Sequence, residues 1–443
     1  MKKFLAFFLG LTVLLSACKK DNNYIFDKSP DERINESIAK YEALLTGAAN
    51  GWNAHITVDN GQGPTYSFYF KFNKDNRVKM VSDFDTTSSV TVQESSYRIR
   101  QQQQPTLIFD TYSYVHVLAD PNEANAGVVA DVNGGAVGEG LLSDFEFIID
   151  EDAIQADQIV MKGKVNGAVL TLTRATQEES TIYENGQWQL VSKYFDYILT
   201  YYRRLVIDGV SYDVRLDSRN HSITFGWLSG TEYKTFTTDY YNSTTGLTLV
   251  DPFVNGAQSI TAISVDNWDP STQTITVKSG TSTGTVKETI LPLQVNATAG
   301  AEWLQYVIDQ GGYWASAQGF HVNGVDDAYK VQSLPNYYFL AYFPSDYFGS
   351  ATDIFSPIFL DASGLYLDYY GKTSFSTDAT GIGKFRNRGT TAINIPFPNL
   401  PSPARLTFNL LTQTQGFYFV QTSETTYDMV SAKDGKAWLS WFF

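Results

Sequence analysis

Tyr66-Ser67-Phe68-Tyr69-Phe70-Lys71-Phe72 runs into Asn73-Lys74-Asp75-Asn76 and, past Arg77, out through Val78-Lys79-Met80-Val81. Aromatic and β-branched side chains at period two suit a pleated surface buried on one face, and the Asn/Asp cluster between the runs supplies turn-forming residues, so the stretch predicts an antiparallel hairpin. The same layout recurs from Asp213 through Arg219-Asn220-His221 to Phe225, and from Ile358 through Asp361-Ala362-Ser363-Gly364 to Leu367. Two further stretches, Asp157–Leu170 and Tyr427–Leu439, read as hairpins that close a module. Composition agrees: aromatic residues make up 15% of the 443-residue chain, with 28 Tyr and 29 Phe against 4 Met. With 43% hydrophobic and 18% charged residues, the chain has enough apolar surface to fold rather than stay disordered.

Helical signals punctuate this pattern. Ser29-Pro30-Asp31-Glu32 offers a hydroxyl cap, proline at the first helical position and an acid placed to complete a capping box; Ile34, Ile38, Tyr41 and Leu45 then share one face, and Gly47 supplies the stop. A second helical pattern carries Trp303, Val307 and Ile308 and ends at Gly311-Gly312 before Tyr313-Trp314, as the first ends before Gly51-Trp52. A weaker third covers Trp188–Tyr201. The expected fold is therefore mainly β, with tandem antiparallel β-barrel or sandwich-like modules, each preceded by a helix, at 29–178, 179–295 and 296–443. The last two are compatible with one shared core.

Residues 1–17 have a basic start (Lys2, Lys3), an apolar run Phe4–Leu15 and small residues at the end, the layout of a secretion signal. Leu15-Ser16-Ala17-Cys18 matches the bacterial lipobox, so Cys18 is expected to carry lipid, palmitate included, with 18–28 as a tether. Each buried acyl CH₂ contributes about 0.8 kcal/mol, so several chains anchor a protein without a spanning segment. No later run approaches the ~20 apolar residues of a membrane helix. Cys18 is the single cysteine, which leaves no internal disulfide. A net charge of −15 with no basic stripe disfavours nucleic acid as a partner. The expected location is the cell envelope, as an outer-membrane lipoprotein, with the membrane as a partner through Cys18.

Phe26–Arg33, Ser82-Asp83-Phe84-Asp85, Pro105–Tyr112, His116–Pro121 and Ser143-Asp144-Phe145-Glu146-Phe147 together resemble an uncharacterised family of Bacteroidetes lipoproteins defined only as a domain of unknown function. The likeness is good over residues 24 to 240 and looser beyond. Members are often encoded beside outer-membrane importers of the starch-utilisation type, which implies an accessory role at the envelope and an importer complex as a partner. The family lends no catalytic residues.

Candidate chemistry is sparse. His55, His116, His221 and His321 lie far apart and no metal-ligand spacing appears, so neither a metal nor another cofactor is expected. Gly280-Thr281-Ser282-Thr283-Gly284 formally fits a nucleophile elbow, but between two strand-like runs it reads as a hairpin turn. Asp83 with Asp85, and Asp144 with Glu146, put two carboxylates two residues apart, on one face if the segment is a strand. Such a pair serves glycoside hydrolysis, a calcium ion or a bound ligand; the plainer reading is that the acids cap backbone groups while the phenylalanine packs inward. Tyr112, Tyr114 and His116 alternate as if on one strand face, which suits a ligand platform or a buried ladder. The favoured function is non-catalytic binding of a glycan or peptide; the alternative is a secreted hydrolase using a carboxylate pair. Cys18→Ala is expected to move the protein from the detergent phase to the aqueous phase on cloud-point partition, and equal partition of both forms rules out the anchor.

Overall fold

The computed structural model describes residues 28–122, 138–218, 220–392 and 401–443; the signal segment, Cys18 and nearly all of the tether lie outside them. The first unit begins with α1 (Pro30–Thr46) and contains β1 (Trp52–Thr57), β2 (Thr65–Phe72), β3 (Arg77–Ser82), β4 (Gln93–Gln101), β5 (Pro105–Phe109), α2 (Tyr114–Val117), β6 (Glu146–Ile154), β7 (Gln158–Gly163) and β8 (Val169–Arg174). Its strands pair in chain order, and β1 pairs with β8 from Trp52–Arg174 to Thr57–Val169, closing a barrel. Burial alternates along β1, so Trp52, Ala54 and Ile56 face the core. The predicted capping box is present: the Ser29 hydroxyl accepts from Glu32 N–H while the Glu32 carboxylate accepts from Ser29 N–H. Tyr41 and Leu45 are buried against the barrel and Ile38 partly so, while Ile34 is exposed, so the helix grips the core only through its second half.

The second unit has α3 (Gln177–Glu184) and α4 (Val191–Phe195), then β9 (Tyr202–Ile207), β10 (Val210–Asp217), β11 (Ser222–Ser229), β12 (Glu232–Ser243), β13 (Gly246–Asn255), β14 (Gln258–Asp269), β15 (Thr274–Ser279) and β16 (Ser282–Thr289). Here β16 closes on β9, and the core gathers around Phe253, whose ring meets those of Tyr212, Phe225, Trp227 and Phe236. Asp208 and Gly209, both at positive φ, make the two-residue turn between β9 and β10. The helix predicted over Trp188–Tyr201 is only the single turn α4. The helical residues it missed are α3, which starts with Thr176 and Glu179 in the same capping-box arrangement as α1.

The third unit has α5 (Ala299–Asp309), β17 (Trp314–Ser316), β18 (His321–Val322), β19 (Tyr337–Phe343), β20 (Asp353–Asp361), β21 (Gly364–Tyr366), β22 (Tyr369–Thr377), β23 (Gly383–Ala392), α6 (Ser402–Leu411), β24 (Phe417–Ser423), β25 (Thr426–Ser431) and β26 (Ala437–Phe442). Pairing of Ala315 with Phe442 joins β17 to β26 and closes a ring of eight strands, with β18 and β21 hanging from β26 and β20. Trp303 of α5 is fully buried at its centre, within 6 Å of the rings of Trp314, Tyr342, Phe375, Phe385, Phe419 and Trp441. In the first and third units the tryptophan after the helix ties back to it: Trp52 donates to the Leu45 carbonyl and Trp314 to that of Trp303, each at 2.9 Å. The fold is thus mainly β, three antiparallel eight-stranded barrels in tandem, and the second and third have separate cores.

Two local expectations are corrected. Tyr112, Tyr114 and His116 are not on a strand: β5 stops at Phe109, and Ser113 caps the turn α2 with its N–H given to His116 Nδ1. Neither tetrad lies along a strand face, because β3 ends at Ser82 and β6 starts at Glu146, leaving Asp83, Asp85 and Asp144 in the adjoining bends.

The first two barrels meet at β2 and β12. Ser67 Oγ accepts from Asn242 N–H at 2.9 Å, His221 Nδ1 lies 2.7 Å from the Thr65 carbonyl, and the His55 ring sits 4.4 Å from that of Tyr241. His55 Nδ1 is shut off from solvent without a hydrogen-bond partner, and burial, outweighing the attraction of Asp83, depresses its pKa from 6.5 to about 4. Unfolded His55 therefore binds a proton that the folded state refuses between those values. Stability is intact above pH 6.5 and falls by up to about 3 kcal/mol toward pH 4. Denaturant melts of the wild type and His55→Phe across this window should show a shallower pH dependence in the variant; identical slopes reject the assignment.

Candidate functional site

The four acids and three ring residues singled out above do not converge. Asp83 is buried between the barrels: Oδ1 accepts from Ser67 N–H at 2.9 Å and Oδ2 from Asn242 Nδ2 at 3.0 Å. Asp85 caps its own turn by accepting from Thr87 and Ser88 N–H. Asp144 is buried and accepts from the backbone N–H of Val165, Asn166 and Ala168, with its Oδ2 against Gly163, where a Cβ would come within 2.0 Å. Glu146 is paired with Lys164 at 2.7 Å on the surface. Phe84 packs inward against Tyr66 and Phe68, whereas Phe145, at the rim before β6 begins, stays 39% exposed.

Phe145 instead stacks on His116 at 4.9 Å, and His116 stacks on Tyr112 at 5.6 Å, a surface pile of three rings of which only two were anticipated. The Tyr112 hydroxyl donates to Asp120, and Tyr114 is turned inward with its hydroxyl on the Thr91 carbonyl. His116 Nδ1 accepts from Ser113 N–H while Nε2 lies 3.2 Å from the Phe109 carbonyl, and burial lowers its pKa. Ser282 of the elbow-like motif is the first residue of β16, after the turn that the Gly280 spacing predicted. Among the described residues no group of three or more His, Cys, Asp or Glu is placed to hold a metal ion.

A different region forms a real concavity. A cleft of 550 Å³ lies between the second and third barrels. Its floor is the outer face of β9–β12, its opposite wall is β24 with Tyr418 and Val420, and the linker Pro292–Asn296 closes one side. Strand register aligns Arg204, Asp213, Gly226 and Thr235 in one row across four strands, and Arg215, Thr224 and Thr237 in the next. Arg204 Nε pairs with Asp213 Oδ1 at 3.0 Å. Asp213 Oδ2 accepts from Leu293 N–H at 2.7 Å and from the Tyr233 hydroxyl at 3.1 Å, so one carboxylate holds both linker and floor. Tyr233 reaches it only because position 226 is glycine; a Cβ there would sit 2.0 Å from the Tyr233 hydroxyl.

The floor and wall are joined by a polar relay. Arg215 is hydrogen-bonded to Tyr201, whose hydroxyl donates to Asp428 Oδ2 at 2.6 Å, and Ser440 donates to Asp428 Oδ1. Burial and the neighbouring Asp428 carboxylate push the Tyr201 phenol well above its usual range, so it stays protonated as a donor. Beyond this relay is a second cleft of 560 Å³, where His321 stacks on Trp438 at 3.6 Å. His321 Nδ1 meets Asp326 at 2.6 Å and Nε2 accepts from Gly324 N–H, so neither ring nitrogen is free to act as a base. The floor residues Asp213, Arg215, Thr224, Thr235 and Thr237 sit at outward polar positions of their strands, which in sequence read as a solvated face.

Residues 22–269 match the family described as Domain of unknown function (DUF4302), more than half of the chain. The chain belongs to that family. The DUF4302 match takes in all of the first barrel and β9–β14, including the cleft floor, and leaves the linker and β24 outside. No curated protein matches the chain. Two solved structures of the Helicobacter pylori beta clamp, one in complex with 5-chloroisatin and one bound to a DNA ligase peptide, are 9% and 6% identical. They cover 93% and 91% of this chain and 97% of each of those chains, and their TM-scores of 0.12 and 0.11 carry no argument.

Replacing Asp144 by Asn turns one acceptor into a donor facing backbone N–H groups, which should cost about 1–3 kcal/mol in a urea melt. Glu146→Gln, which loses one exposed pair, should stay within about 0.5 kcal/mol. Equal losses at the two positions would sink this reading of Asp144.

Proposed function

We propose that the protein is a lipid-anchored envelope protein that captures a ligand, a glycan or a peptide, without transforming it. The observation that carries this reading is the 550 Å³ cleft between the second and third barrels. Its size falls in the range of small-molecule sites, and aromatic rings and convergent polar groups line it. The hydrolase alternative asks for a free carboxylate pair with one pKa raised. Asp83, Asp85 and Asp144 spend their carboxylates on backbone N–H groups and an amide, and Glu146 on a lysine. The lipobox cysteine Cys18 supports the anchor, and the resemblance to Bacteroidetes lipoproteins supports an accessory role beside an outer-membrane importer.

A ligand that binds only the native state stabilises it by about 2.7 kcal/mol at a hundred times its Kd. Thermal melts of the mature protein against panels of glycans and peptides should therefore show a rise of several degrees for at least one member, with no product released. A panel without any rise, or a product whose release stops in Asp83→Asn or Asp144→Asn while the melt is retained, counts against capture.

A further inference from the structure

The charges lining the inter-barrel cleft cancel within the protein. Arg204 is neutralised by Asp213, and Arg215 is engaged through Tyr201 with Asp428. Arg203, which also lines the cleft, has its guanidinium on the Ile198 carbonyl and beside Asp196. An ionic ligand would have to give up part of its hydration in the cleft without a free counter-charge to replace it.

What the cleft does leave over is uncharged. The Tyr202 hydroxyl is shut off from solvent on the floor with no hydrogen-bond partner, although the residue is only 8% exposed. Buried polar groups are rarely left so, and such an orphan in a cleft marks a place for a ligand's donor or acceptor. Tyr418 faces it from β24, half-buried, and neither its hydroxyl nor the side chains of Thr235, Gln294 and Gln421 bond elsewhere among the described residues. Phenol faces offer stacking area, and phenol, hydroxyl and amide groups each donate and accept.

We propose that this cleft binds an uncharged oligosaccharide, the apolar C–H face of one sugar ring lying on Tyr418 and its hydroxyls reaching Tyr202, Thr235 and Gln421. The assignment rests on the capture role above and names its ligand class. A sugar matches the lining on every count: it carries no charge, it presents one apolar face, and its rim of hydroxyls can both donate and accept. A peptide that binds by adding a strand would use a free sheet edge. Tyr233, Thr235 and Thr237 of β12 pair only with β11, and β24 from Tyr418 on pairs only with β25, so the peptide control tests these edges.

Isothermal titration of the mature protein with maltohexaose, cellohexaose, xylohexaose and mannohexaose, with trigalacturonate as the acidic control and an unrelated hexapeptide as the peptide control, tests the assignment. At least one neutral hexasaccharide should bind, and Tyr418→Ala should weaken it tenfold or more without moving the melting temperature. Gln421→Ala, at an exposed wall position, should weaken it severalfold and guards against misfolding of the first variant. Saccharide binding indifferent to both substitutions overturns the cleft assignment while leaving capture standing elsewhere. Binding of trigalacturonate or of the peptide that is lost in Tyr418→Ala overturns the ligand class alone. No binding by any probe overturns the assignment, and with a flat thermal panel it removes capture as well.

Discussion

A sheet that ends in a free strand exposes a row of unpaired N–H and C=O groups, and closing the sheet on itself is the one device that removes that row entirely. In this chain β1 returns to β8, β9 to β16 and β17 to β26, so each ladder meets its own beginning. With a single cysteine there is no cross-link to share the load. Everything else in the architecture follows from closure: inward positions must fill a narrow interior, which explains the aromatic composition, and outward positions are released for contacts between barrels. The first two rings close through six-residue ladders, whereas the third closes through one pair, Ala315 with Phe442. That thin seam is where the large rings around Trp303 matter most, since packing must hold what few hydrogen bonds join.

The two junctions between barrels are built on opposite principles. Between the first and second, Ser67, Asp83, Asn242 and His221 are buried and bonded to one another or to backbone, which fixes register, with His55 Nδ1 left unpartnered beside them. Between the second and third, polar contact runs through the Arg215–Tyr201–Asp428 relay, the Tyr201 N–H on the Gly435 carbonyl and the Lys436–Glu288 pair, and clefts open beside it. The first kind of junction gives rigidity and the second, in the capture role proposed above, gives a site. The orphan Tyr202 hydroxyl belongs to the second kind.

What the sequence disclosed was local. The Asn73–Asn76 turn, the Ser29 capping box, and the tryptophans that follow the two helices depend on neighbours within a dozen positions, and each is found where its chemistry predicted. Thr176 with Glu179 carries the same capping signal for α3, a sharper one than the diffuse apolar pattern downstream. The misreadings have a common cause. Alternating aromatics at Tyr112, Tyr114 and His116 mimic a strand, but Ser113 finds its cap acceptor in the His116 ring, a contact that turns the chain into a helix. Asp83 has as its partner Asn242, 159 positions away, and no local pattern announces a strut of that span. The cleft is illegible for the same reason, since its floor and its wall come from strands of different barrels.

The boundary of the family match sharpens this point. It stops at Asp269, the last residue of β14, in the middle of a closed ring. β14 needs β15 as its neighbour, and β9 needs β16, so a chain cut there would expose two edges and the apolar interior around Phe253. The matched segment is therefore a unit of sequence and not of folding; the smallest closed unit that contains it runs at least to Thr289. Even that unit would hold only half of the cleft. Asp213 would lose the Leu293 N–H that it grips, the floor would lose the linker strapped across it, and Tyr418 would be absent. In the capture role proposed above, ligand selection would be divided between the part that follows the family pattern and the part that does not, the floor supplying hydrogen-bonding groups and the wall the stacking face.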